Sequence, residues 1–136
     1  MRPVFVYGSL RAGEVNDLSQ AARRHGCAPP RWHGVGWVAG TLYDLGDYPA
    51  LLATGPHRVR GDVYLVDDAL LAVMDEIEEY VPGTDCMYQR QPVEVEMDGR
   101  TLRCEYYPVA ARYLQGLAPL DAQDWVAYRR ARDARR

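Results

Sequence analysis

The chain contains no lysine; all 16 of its Lys/Arg residues are arginine. That removes lysine Schiff-base chemistry and any Walker-type P-loop, since both need an ammonium. Serine is nearly missing as well, so a serine nucleophile would have to be Ser9 or Ser19. The three cysteines, Cys27, Cys86 and Cys104, form no C-x-x-C pair, and His25, His33 and His57 show no H-x-x-x-H spacing. Metal-ligand spacing is therefore absent, and a structural zinc site is not expected. The thiols read as free groups of a reducing compartment. No apolar run approaches the roughly 20 residues that span a bilayer, so no membrane partner is expected. The start, MRPVFVYGSL, turns polar too soon for a secretory signal. A net charge of −3 gives no reason to expect a nucleic-acid partner. These absences describe a soluble, cytoplasmic protein. No feature fixes an oligomeric state.

What is present is an ordinary globular mix, 48% hydrophobic and 26% charged, in 136 residues. That length suits one domain with its own core. Val4 to Tyr7 reads as a short buried strand. Asn16 to His25 has helical character, with Leu18, Ala21 and Ala22 on one face. GCAPPRWHG reads as loop. GVGWVAGTLYDL, from Gly34, gives one or two strands bent at glycines. GDYPALLATGPHRV gives a turn, a short edge segment and a loop. RVRGDVYLV alternates, with Val59, Gly61, Val63 and Leu65 on one face. Asp67 or Asp68 caps a helix running to about Tyr80, whose stripe is Leu70, Leu71, Val73, Met74 and Ile77.

VEVEMDGRTLRCEYY carries the sharpest local signal. Asp98-Gly99 is a two-residue hairpin turn. The register it implies sets Val95 opposite Leu102, Val93 opposite Cys104 and Glu94 opposite Arg103. LDAQDWVAYRRARDARR reads as a helix capped by Asp121 and ending in a solvated arginine-rich tail; a role for that tail on nucleic acid is the lesser reading. Strands dominate and no βαβ alternation appears. The expected fold is α+β, a compact mixed or antiparallel β-barrel with flanking helices. Residues 119–136, the last helix and tail, are taken as part of the same single domain as residues 1–118.

Two places carry candidate chemistry. The first is MDEIEEY, Met74 to Tyr80. At about 100° per residue, Glu79 falls roughly 170° from the centre of the apolar stripe, and Asp75 and Glu76 roughly 130°. All three would face solvent. Glu78 falls at about 70°, on the shoulder, where partial desolvation raises a carboxyl pKa toward the proton-transfer range. The bland alternative is a solubilising helix face. The second place is Gly8-Ser9 after the first strand. The G-x-S-x-G frame of a nucleophile elbow and the G-x-G-x-x-G dinucleotide fingerprint are both missing. What remains is either an ordinary loop or a nest of backbone N–H groups for a carboxylate or oxyanion.

VYGSLRAGEVN, GTLYDLGDYPAL, VRGDVYLV, MDEIEEY with YQRQPVEV, and EYYPV occur in this order. The set resembles the γ-glutamylcyclotransferase-like superfamily, in the small branch that includes γ-glutamylamine cyclotransferases. The resemblance implies a barrel with helices around it. It also implies a small-molecule γ-glutamyl substrate that is cyclised to 5-oxoproline with release of an amine and without a metal or organic cofactor. By motif, Tyr7, Gly8, Ser9 and Leu10 would bind the substrate and Glu78 would be the catalytic general acid/base. Tyr88 and Arg90 would support the pocket, or else pack in the core and bridge a nearby acid. The chain departs from the family at Glu79, where glycine often follows the catalytic Glu, and in a longer stretch from Tyr80 to Tyr88. The competing reading is a noncatalytic small-molecule binding domain on the same fold.

Overall fold

The first strand decides how the molecule layers. In RPVFV, Val4 and Val6 go to one face and Phe5 to the other, and all three are buried, so this strand has cover on both sides. In the computed structural model, which describes residues 1–135, β1 is Arg2–Val6, β2 Arg31–Ala39, β3 Thr41–Asp44 and β4 Pro49–Leu52. β5 is Arg58–Val66, β6 Gln91–Met97 and β7 Arg100–Tyr106. The helices are α1 Leu18–Arg24, α2 Asp68–Ile77 and α3 Trp125–Ala134. Arg136, the last residue of the arginine-rich tail, lies outside the described residues.

Five strands close a barrel in the order β1-β5-β2-β6-β7. All pairings are antiparallel except the closing one, where β1 runs parallel to β7 at Val4 and Glu105. Closure leaves no free sheet edge in this layer. The barrel interior holds Phe5, Val59, Val63, Val95, Cys104 and Tyr106. Outside it, α1 and α2 lay Leu18, Ala22, Leu70, Leu71 and Met74 against Val4, Val6, Tyr64 and Val66. The small hairpin β3-β4 stands apart as a second sheet. The expected α+β barrel with flanking helices is what forms.

Local expectations met different fates. The β6-β7 register pairs Val95 with Leu102, Val93 with Cys104 and Glu94 with Arg103, as expected. Asp98 and Gly99 take φ of 45° and 76°, the left-handed pair that such a turn requires. Asp67 is the cap of α2, accepting from Leu70 N at 2.9 Å. The segment expected as loop from Gly26 becomes strand at Arg31, with a register shift between Trp32 and Gly34.

The C-terminal expectation needs correction. α3 starts at Trp125 and is capped by Asp124, not Asp121. Asp124 is the residue gripped from afar, by Arg11 at 2.9 Å, while Asp121 is fully exposed. Nor is the arginine-rich helix a solvated end. Arg129 and Arg130 reach the buried Glu14 at 2.8 and 3.4 Å, and Arg132 reaches Asp44 at 2.9 Å. Trp125 anchors the helix start inside the barrel at 1% exposure.

Candidate active site

The chain leaves β1 at Val6 and turns sharply, Arg11 N donating to Gly8 O at 3.0 Å. Across from this turn, β4 begins at Pro49, and α2 ends at Ile77 with Glu78 as its C-cap. These three pieces enclose a cavity of about 290 Å³. Tyr7, Gly8, Ser9, Leu10 and Glu78, the five residues singled out in the sequence, all line it. Its size suits a small metabolite.

Gly8 is fixed by a close approach. A Cβ there would lie 2.7 Å from Pro49 Cγ, so only glycine lets β4 come this near the turn. The space its side chain would fill holds the proline ring rather than a ligand. Past Gly8 the loop is pinned on several sides. Asn16 N donates to Ser9 O at 2.9 Å, Asn16 Nδ2 to Ser9 Oγ at 3.2 Å, and Leu18 N to Leu10 O at 3.1 Å. Arg11 Nε and Ala12 N both donate to the buried Asp62 Oδ2 at 3.2 Å. The Gly8, Ser9 and Leu10 N–H groups donate to no protein acceptor among the described residues. A rigid turn with unspent donors can receive a carboxylate or an oxyanion.

Glu78 sits half-buried in the cavity wall, and its carboxyl makes no hydrogen bond or ion pair among the described residues. Burial alone raises its pKa from 4.5 to about 7. Three tyrosines surround it. Burial first, then the Glu78 charge, pushes the Tyr7 hydroxyl well above its ordinary value; Tyr88 is raised for the same reasons. Tyr107 is raised by burial and by its hydrogen bond to Asp75. All three stay neutral and act as struts. Tyr7 Oη donates to Tyr107 O at 2.6 Å, Tyr88 Oη to Pro49 O at 2.8 Å, and Tyr107 Oη to Asp75 Oδ1 at 2.6 Å.

Asp75 contradicts the helical-wheel expectation that it faces solvent. Besides Tyr107 it holds Arg90 Nη1 at 2.6 Å, and its side chain is only 19% exposed. The residues just before β6 and just after β7 supply those groups, and neither is visible from the helix itself. Arg90 thus bridges a nearby acid rather than lining the cavity, while Tyr88 lines it. Glu79 is exposed, as expected, yet it also lines the cavity. The helix has already ended there, and φ of 56° at Glu79 breaks the 100° progression.

Sequence reasoning passed over Asn16, Tyr48, Pro49, Ile77 and Tyr107, all at this cavity. Tyr48-Pro49 and Tyr107 lay within the quoted segments GDYPAL and EYYPV, which was the available signal. Among the described residues no cluster of His, Cys, Asp and Glu has the arrangement to hold a metal ion, and no helix is long and apolar enough to cross a membrane.

Comparison with known proteins agrees with this architecture. Residues 4–127 match the family described as gamma-glutamyl cyclotransferase, AIG2-like. The gamma-glutamylaminecyclotransferase of Bos taurus is 32% identical over 124 residues, covering 81% of this chain and 67% of the bovine protein. The gamma-L-glutamyl-butirosin B gamma-glutamyl cyclotransferase of Niallia circulans is 34% identical over 135 residues, covering 95% of this chain and 78% of its own. The crystal structure of an AIG2-like protein from Mus musculus superposes with a TM-score of 0.72 at 28% identity, covering 91% of this chain and 88% of that one. With the barrel, the turn after β1 and the match over nearly the whole length in agreement, this chain belongs to the gamma-glutamyl cyclotransferase, AIG2-like family.

Proposed function

We propose that this protein cyclises a γ-glutamyl amine, releasing 5-oxoproline and the free amine, with Glu78 as general acid/base. The observation that carries the reading is one cavity shared by an unpaired, half-buried carboxyl and a turn with free amides. Relatives named for gamma-glutamylamine cyclotransfer support the reaction class.

The substrate brings its own nucleophile and electrophile. Holding the γ-glutamyl group folded brings the α-nitrogen near the side-chain carbonyl, and the attack is intramolecular. The α-ammonium first gives a proton to the Glu78 carboxylate. Its freed lone pair then forms the C–N bond that closes the five-membered ring. The carbonyl π pair moves onto oxygen, where the Gly8, Ser9 and Leu10 amides stabilise it. Collapse breaks the old C–N bond as the Glu78 proton goes to the departing amine, and the carboxylate so freed takes the surplus proton from the ring nitrogen and passes it to the released amine, which leaves as an ammonium. A pKa of about 7 serves both transfers near neutral pH, because neither protonation state is rare. The steps call on no metal or cofactor.

Leu10 and Tyr7 would pack the glutamyl methylenes, and Ser9 Oγ would donate to the substrate carboxylate. Residues 1–118 and 119–136 function as one domain in this reading, since α3 braces the loop that carries the amides. The free thiols Cys27, Cys86 and Cys104 fit a reducing, cytoplasmic setting. The test is mass detection of 5-oxoproline from a panel of γ-glutamyl amines, with Glu78→Gln in parallel. The expected result is turnover by the native chain and none above background in the folded variant. Unimpaired turnover by Glu78→Gln would refute the assignment and leave the noncatalytic binding reading to be tested by ligand titration.

A further inference from the structure

Hydroxyl groups line the cavity as well as carboxyls, and three of them have already given up their hydrogens. Tyr7, Tyr88 and Tyr107 donate to Tyr107 O, Pro49 O and Asp75 Oδ1 at 2.6, 2.8 and 2.6 Å. Ser9 is different. Its Oγ accepts from Asn16 Nδ2 at 3.2 Å and donates to no protein acceptor among the described residues. Ser9 and Asn16 both line the cavity, and both are half-buried.

A hydroxyl has one hydrogen to give and two lone pairs to offer. With one lone pair taken by the Asn16 amide, the Ser9 hydrogen cannot point toward Asn16, where it would meet the amide hydrogens. It is left for a group that enters the cavity. The same polarity excludes Asn16 as a base for a Ser9 nucleophile, because an amide N–H takes no proton. Asn16 is itself fixed from both sides. Its backbone N donates to Ser9 O at 2.9 Å. Before it, the buried Glu14 is gripped by Arg129 at 2.8 Å and Arg130 at 3.4 Å. After it, Asp17 caps α1, accepting from Ser19 N at 2.8 Å and from Gly13 N at 2.7 Å. A side-chain amide anchored in this way keeps its aim.

We propose that Asn16 is a positioning residue whose side-chain amide holds the Ser9 hydroxyl as a hydrogen-bond donor to the α-carboxylate of the substrate. This rests on the proposed cyclisation. The α-carboxylate takes no part in ring closure and keeps its charge throughout. A donor to it therefore stabilises ground state and transition state alike. Loss of the Asn16 amide weakens substrate binding and leaves the chemical step as it was. The bond from Asn16 N to Ser9 O belongs to the backbone, so the path of the turn survives a change of side chain.

The experiment uses the full chain and the γ-glutamyl conjugates of n-butylamine, benzylamine and ethanolamine, and follows 5-oxoproline on the one the native protein turns over fastest. kcat and KM are measured for the native protein, Asn16→Ala, Ser9→Ala, the double variant and Asn16→Asp, with urea midpoints to show that each is folded. Asn16→Ala is expected to raise KM about threefold to tenfold, the size of one hydrogen bond, with kcat within about twofold of native. In the Ser9→Ala background the same substitution should change KM by less than about twofold, because no hydroxyl is left to hold. Asn16→Asp keeps the size of the side chain but puts an acceptor where the donor was. It should draw the Ser9 hydrogen to itself and raise KM more than Asn16→Ala does. Should Asn16→Ala not fold, Asn16→Leu, which keeps the volume, takes its place. An unchanged KM, a KM effect of full size in both backgrounds, a loss confined to kcat, or a native KM in Asn16→Asp overturns the inference while leaving cyclisation intact. No 5-oxoproline from any of the three conjugates overturns the proposed function and, with it, this inference.

Discussion

Replacing Glu78 by glutamine should make the protein more stable by an amount that grows with pH. The reasoning starts from the unpaired carboxyl in the cavity wall, whose pKa stands at about 7 instead of 4.5. A carboxyl raised in this way holds its proton more tightly in the folded state than in the unfolded one. From pH 4.5 to about 7 the unfolded chain has released that proton while the folded chain keeps it, so stability falls as pH rises. Above that window the ionised folded form bears the whole penalty. At about 1.4 kcal/mol per pH unit, the penalty reaches about 3 kcal/mol. Between pH 5 and pH 8.5 it changes by about 2.5 kcal/mol, because part of it is already present at pH 5. Water entering the open cavity lowers these figures and cannot raise them. Glutamine does not titrate, so its own desolvation cost is the same at both pH values and cancels. Other shifted groups, present in both proteins, cancel as well. Urea denaturation of both proteins at pH 5 and pH 8.5 gives the four free energies. The variant should gain about 1–2.5 kcal/mol more at the higher pH. Equal differences at the two pH values would refute the claim that this carboxyl is buried without a partner.

Three further outcomes follow from the same geometry. In a pH–rate profile on a γ-glutamyl amine, kcat/KM should fall on the acid side with an apparent pKa near 7, as the base form of Glu78 is lost; a limb near 4.5 would mean a solvated carboxylate. Glu79→Gly should raise the urea midpoint, adding about 1 kcal/mol by relieving the left-handed φ of 56°; a loss of stability would mean that the Glu79 side chain makes a compensating contact. Gly8→Ala should cost about 1–3 kcal/mol and most of the activity, because the new methyl meets Pro49 and forces β4 away from the turn. Denaturation together with kcat/KM checks it, and a fully active, equally stable variant would show that β4 yields freely.

What the sequence made legible follows the range of the interactions involved. The β6-β7 hairpin was readable because a two-residue turn and alternating side chains fix register within fifteen residues. The inward lean of Glu78 was readable because α2 keeps its period up to that cap. One residue later the wheel failed: the chain turned left-handed, and Glu79 came to the mouth rather than to the far side. Asp75 was misjudged because Tyr107 and Arg90, which draw it inward, lie 32 and 15 residues away. Asp121 and Asp124 are equally good caps in isolation. Arg11, 113 residues from Asp124, and Arg60 make the choice. Tyr48, Pro49 and Asn16 were marked only by the family-like segments that contain them, because the cavity they line exists only once β4 packs on the turn.

The ties between α3 and the loop after β1 set an order of events for the newborn chain. β1 leaves the ribosome before either of its partners, yet it needs β5 on one side and β7 on the other. Arg11 and Glu14 then wait for Asp124, Arg129 and Arg130, which follow them by 113 to 116 residues. The amide-bearing turn therefore cannot settle until α3 has been made. Until then Val4, Phe5 and Val6 form an apolar strand without neighbours, a segment for a chaperone to hold.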